Sequence, residues 1–125
     1  MTSNIMLYAG SIVITLWGIA HIAPTKPVVE GFGPISEENK RIITMEWVAE
    51  GLALCFIGLL VLFVTVLGSA QNPVSIIVYR ACALMLIIMA GWTLLTGART
   101  SIVPIKICPI VKTLVAILFF LGSAL

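Results

Sequence analysis

Charge is what this sequence has least of. Seven basic and five acidic side chains make up 10% of its 125 residues, against about 25% in an ordinary soluble domain, so the chain lacks the ionic surface that keeps a globular protein dispersed in water. The basic residues are spread out, with none of the clustering that follows a phosphate backbone, which excludes a nucleic-acid partner. Histidine occurs once, and no ligand spacing resembles a zinc or di-iron set, so no metal centre is expected. Three cysteines, Cys55, Cys82 and Cys108, fall in different segments without a C-x-x-C pair. Dithiol chemistry has no pair to run on and an odd number closes no disulfide framework, which leaves small apolar packing as their role. What fills the chain instead is apolar: 61% hydrophobic residues and a mean hydropathy of +1.20 point to an integral membrane protein whose first partner is the lipid bilayer.

The predicted fold is all-α: one domain, residues 1–125, forming an up-down-up-down four-helix membrane bundle with a single longer first loop. A span needs roughly 17 to 25 apolar residues, and four stretches qualify, at about 5–22, 36–68, 73–97 and 102–123. The first has no Lys or Arg ahead of it and no small-x-small site behind it, so a spanning helix is favoured over a cleaved signal peptide. Ser36 is placed to cap the second helix, with Glu37 and Glu38 at its positive end; this helix starts in water and enters the bilayer near Ile42. Gly68 ends it, and Asn72 followed by Pro73 opens the third. Pro104 and Pro109 predict a fourth helix that is kinked or that starts properly only near Pro109. In the first loop, two glycines and three prolines argue against regular helix, yet Val28, Val29, Phe32 and Ile35 would not stay in water. This segment is expected to fold back on the bundle mouth, where it could act as a lid.

Lys26, Lys40, Arg41, Arg99 and Lys106 all flank the first and third connections. The positive-inside rule puts those connections in the cytoplasm and both termini on the extracytoplasmic side.

The informative residues are the ionisable ones within apolar stretches, because a charge at mid-span costs roughly 2.5 to 3.5 kcal/mol on insertion scales. Glu46 and Glu50 are four apart and share a helical face with Ala53, Leu54 and Ile57, while Gly51, Cys55 and Gly58 form a second, small-residue stripe where another helix could dock. Trp17 and His21 are four apart at the end of the first helix, and helix direction puts His21, Glu46, Glu50, Lys106 and Lys112 in the same half of the bilayer. A Glu50–Lys112 ion pair, with Glu46 and His21 nearer the interface, leaves no charge unpaired. Lys106 alone reads as a snorkelling residue. Arg80 is in the opposite half and must snorkel or find acceptors. The cluster reads either as a polar network fixing helix register or as a ligand or proton site.

Trp17-Gly18, Gly31-Phe32-Gly33, Glu50-Gly51-Leu52-Ala53-Leu54 with Ile57-Gly58-Leu59-Leu60, and Arg80-Ala81-Cys82-Ala83-Leu84 together resemble the DoxX-like small four-helix membrane proteins. The resemblance implies a four-helix fold in a bacterial-type inner (plasma) membrane, with some relatives attached to quinone-linked sulfur oxidation or redox-stress complexes. The Trp17 to His21 ending and Glu46-Trp47 are not features of that group. Small multidrug exporters carry their membrane glutamate in the first helix, and here that helix has none. The leading functional expectation is a non-catalytic module that binds a lipid or quinone or serves as an accessory subunit, with another membrane protein or a second copy as partner. A proton-linked transporter using Glu50 and a membrane-embedded enzyme with His21 or Glu46 as base are the alternatives; the enzyme has no recognisable nucleophile or metal to complete a mechanism.

Overall fold

A computed structural model describes residues 1–125, and all its regular elements are helical. Four long helices, α1 (Thr2–Ile22), α3 (Glu37–Leu67), α4 (Pro73–Leu95) and α5 (Val103–Ala124), are accompanied by a short α2 (Thr25–Glu30) in the first connection and a 3₁₀ turn (Gly97–Arg99) in the third. Each long helix is apolar and long enough to cross a membrane.

Local chemistry sets the ends. The Ser36 side chain accepts a hydrogen bond from the Asn39 amide, with Glu37 and Glu38 in the first turn of α3. Asn72 accepts from the Val74 amide, and Pro73 takes the first position of α4, where a missing N–H costs nothing. Gly68 closes α3 because a Cβ there would sit 2.8 Å from the Val64 carbonyl oxygen.

Three boundaries differ from the sequence expectation. α1 starts at Thr2 rather than Ile5, because the Ser3 hydroxyl donates to the Gly122 carbonyl and ties the first turn to the end of α5. The first connection contains α2 despite its prolines. Pro27 is third in that helix, within the turn whose amides have no intrahelical acceptor, so its ring removes no bond; Gly33, at φ 74°, then reverses the chain. α5 begins at Val103 and runs through Pro109. Only the bond to the Ile105 carbonyl is lost, and the Thr113 hydroxyl bonds the Pro109 carbonyl a turn further on.

Side-chain contacts tie the long helices to one another. Ser3 meets Gly122 and Trp17 meets Cys108, so α1 and α5 run antiparallel; His21 meets Trp47 between α1 and α3, Thr65 meets Tyr79 between α3 and α4, and Thr93 meets Lys112 between α4 and α5. Around the bundle the order is α3, α1, α5, α4. Among neighbours in this ring α3 and α4 touch least, although the shortest connection between long helices joins them.

The closest approach is between α1 and α3. A Cβ on Gly18 would lie 2.8 Å from the Gly51 carbonyl oxygen and 2.7 Å from the Cys55 sulfur, and one on Gly58 would lie 2.8 Å from the Ser11 carbonyl oxygen. The small-residue stripe of α3, expected to be a docking surface, is therefore already occupied by α1. This contact also turns the helix. The buried line is Gly51, Leu54, Ile57, Gly58, Val61 and Thr65, while Glu46 and Ala53, which spacing puts on one face with Glu50, Leu54 and Ile57, are exposed.

Candidate functional site

Each of the four long helices contributes one polar side chain to a common point. His21 comes from the last turn of α1, Glu50 from α3, Thr93 from the last turn of α4 and Lys112 from α5. The Lys112 side chain is 0% exposed. Its ammonium donates to Glu50 Oε1 and, at 2.9 Å, to Thr93 Oγ1, and the Thr93 hydroxyl donates in turn to the Met89 carbonyl at 2.8 Å. A buried cation is tolerated only when paired and hydrogen-bonded, and these two acceptors take two of its three donors. Glu50 is less enclosed, with 32% of its side chain exposed.

The other carboxylate oxygen, Oε2, faces His21 Nε2 at 3.7 Å, beyond hydrogen-bond length. Trp47 holds the imidazole in place: the rings stack with centroids 4.0 Å apart and planes at 16°, and the indole N–H donates to the His21 carbonyl at 2.7 Å. With 9% of its side chain exposed, His21 carries the single buried side-chain nitrogen or oxygen without a hydrogen-bond partner, Nε2. Leaving such a group unpaired costs about 1–3 kcal/mol, which makes it the least satisfied point of the interior.

Of the residues singled out in the sequence, His21, Glu50 and Lys112 come together and the rest do not. Trp17 donates from its indole nitrogen to Cys108 Sγ at 3.3 Å, bracing α1 against α5 outside the cluster. Glu46 and Lys106 are exposed and form no ion pair. Arg80, in the other half, reaches the Ser123 hydroxyl at 3.4 Å and lies over the Phe120 ring at 5.7 Å. α2 packs against α3 with Val29 buried, and with Lys40 and Thr44 it lines a cavity that none of the cluster residues borders. A second open cavity, of about 710 Å³, is at the opposite end, among residues 1–4, 68–71 and Leu125.

Two members of the cluster were missed by spacing. Trp47 is three residues before Glu50 and thus shares its face. Thr93 is the only hydroxyl-bearing residue between Tyr79 and Thr96, in a stretch from Ala81 to Leu95 that is otherwise apolar, and that isolation was its signal.

No three His, Cys, Asp or Glu side chains converge closely enough to hold a metal ion. No protein-family model, curated protein or solved structure matches the chain. The chemistry must be read from the residues alone: a carboxylate held on one side by a buried ammonium and approached on the other by an imidazole with a free nitrogen. This set can form hydrogen bonds and exchange protons. It contains no activated nucleophile.

Proposed function

We propose that the chain is an integral membrane protein, an up-down-up-down bundle of the DoxX-like kind in a bacterial-type inner membrane, whose role is to bind a lipid or quinone or to serve as an accessory subunit. The free, buried His21 Nε2 beside the partly exposed Glu50 carries this reading. A network serving only to fix helix register would give every member a partner, as it does Lys112, whereas a ligand site holds polar capacity in reserve.

Length supports the membrane assignment. At 1.5 Å per residue α1 is about 31 Å long, which matches a hydrocarbon core of about 30 Å. α3, with 31 residues, exceeds it, and its charged first turns, Glu37 to Arg41, would lie in water. Large apolar side chains face outward all along the bundle, among them Leu52, Phe56, Phe63, Ile88 and Leu114, as a lipid-facing surface requires. Lys26, Lys40, Arg41, Arg99 and Lys106 share the end bearing the cluster, which favours a cytoplasmic position for that end and an extracytoplasmic one for both termini.

The test is native mass spectrometry of protein released from mild detergent, with solvent extraction of the same sample. A single lipid or quinone species retained at fixed stoichiometry is the expected result; a bare protein from both detergent and lipid nanodiscs would overturn the binding reading. A second reading, a proton-linked transporter, is favoured by the position of Glu50 between an ammonium and an imidazole. It requires that Glu50→Gln abolish pH-driven transport in vesicles, and unchanged transport would remove it.

A further inference from the structure

We infer that His21 Nε2 and Glu50 Oε2 form a two-point site for the hydroxyl of a neutral lipid, an inference that rests on the ligand-binding reading and specifies its chemistry. The two atoms are 3.7 Å apart, too far to bond each other and too close for an oxygen to bridge them at an unstrained angle. Widening the gap by under ~1 Å lets one hydroxyl oxygen sit about 2.8 Å from both. Such a hydroxyl gives its hydrogen to the carboxylate and takes one from the imidazole N–H, which satisfies the one unpartnered buried side-chain nitrogen. Glu50 is the member able to move, since 32% of its side chain is exposed while Lys112 is 0% exposed and the His21 ring is pinned by Trp47.

The identity of the ligand follows from charge and depth. Lys112 already neutralises Glu50, so an ionic headgroup would find no uncompensated carboxylate or ammonium to pair with. A carbonyl-only head could accept from His21 but has no hydrogen to offer Glu50. His21 and Thr93 both lie in the last turns of their helices, which sets the cluster at the hydrocarbon boundary, where the hydroxyl of an amphiphile resides while its chains stay in the core. Entry is lateral, on the side of α3 where Glu46 and Ala53 are exposed and Glu50 is partly so. The slight contact between α3 and α4 leaves that side the least covered by a neighbouring helix.

Octylphenol and its methyl ether form a matched probe pair, alike in apolar body and differing in the donor hydrogen. The protein in nanodiscs, with its single histidine labelled at nitrogen, gives one imidazole spectrum to follow by NMR. Octylphenol should move the Nε2 resonance saturably and the methyl ether should not at the same concentration. His21→Phe, which keeps the stack on Trp47, should weaken octylphenol binding about tenfold, the loss expected for one hydrogen bond beside a charged partner. Glu50→Gln should weaken it at least as much if that variant folds. Equal binding of phenol and ether, or binding unchanged in His21→Phe, would overturn the hydroxyl site while leaving the ligand-binding reading intact. An imidazole already hydrogen-bonded without ligand and unmoved by octylphenol would mean that water fills the place, with the same consequence. Failure of both probes, with no lipid extracted from the purified protein, would overturn both.

Discussion

Breaking the Glu50–Lys112 pair from either side should have unequal consequences, because its two ends differ in exposure. Glu50→Leu strands an ammonium that is 0% exposed and leaves it only the Thr93 hydroxyl at 2.9 Å; removing one partner of a buried pair costs about 3–5 kcal/mol. Lys112→Met strands a carboxylate whose side chain is 32% exposed and has His21 beside it, so water relieves part of the penalty and the expected loss is about 1–3 kcal/mol. The double variant, with two apolar side chains of similar volume, should fall within about 1 kcal/mol of the parent or exceed it. The two single losses therefore fail to add, with a coupling of about 3 kcal/mol or more between the sites. The assay is reversible unfolding in mild detergent, by heat or by titration with a denaturing surfactant, followed by far-ultraviolet circular dichroism. Equal single losses would refute the exposure argument, and a double variant as unstable as the sum of the two would show that the groups do not form a pair.

Other positions give sharper local tests by the same thermal unfolding assay. Gly58→Ala should cost about 1–3 kcal/mol, since the new methyl group meets the Thr15 hydroxyl and the Ser11 carbonyl at the α1–α3 contact; Gly91→Ala, with nothing within 4 Å of its Cβ, should be neutral or up to about 1 kcal/mol stabilising. Thr93→Val removes one of the two acceptors of Lys112 and should cost about 1–2 kcal/mol, a loss that should vanish when combined with Lys112→Met. Tyr79→Phe deletes a fully buried hydroxyl 3.1 Å from Thr65 Oγ1 and is expected to cost about 1 kcal/mol; no change would mean that this α3–α4 contact is idle.

Helix ends were legible where the signal is carried by the few residues around them. Ser36 with Glu37 and Glu38, Asn72 with Pro73, and Gly68 each satisfy or block backbone groups within one turn, so reading them requires no knowledge of the remaining chain. Prolines were less legible. Pro27 and Pro109 suggested breaks, but one stands in a first turn where its amide is not needed, and the other sacrifices a single bond in a helix held by its neighbours. Of the cluster, His21, Glu50 and Lys112 could be brought together by depth alone, because span direction fixes which charged residues share a level. Glu46 could not be separated from Glu50 by spacing, since residues four apart differ by a small rotation and the close α1–α3 contact decides which side of the helix is covered.

Composition, the apolar stretches and the local caps thus determined that the chain forms four long helices suited to lipid, where α3 begins and ends and α4 begins, and at what level the charges lie, all properties set by neighbours along the chain. The tertiary structure alone decided which faces meet. Glycines at positions 18, 51 and 58 let α1 and α3 close on each other, which spent the presumed docking stripe internally and turned Glu46 outward. Stacking Trp47 on His21, with Lys112 drawn to Glu50 and Thr93, left one nitrogen without a partner, because bonding among side chains from four separate helices depends on rotation and distance between them, which no single segment of sequence contains.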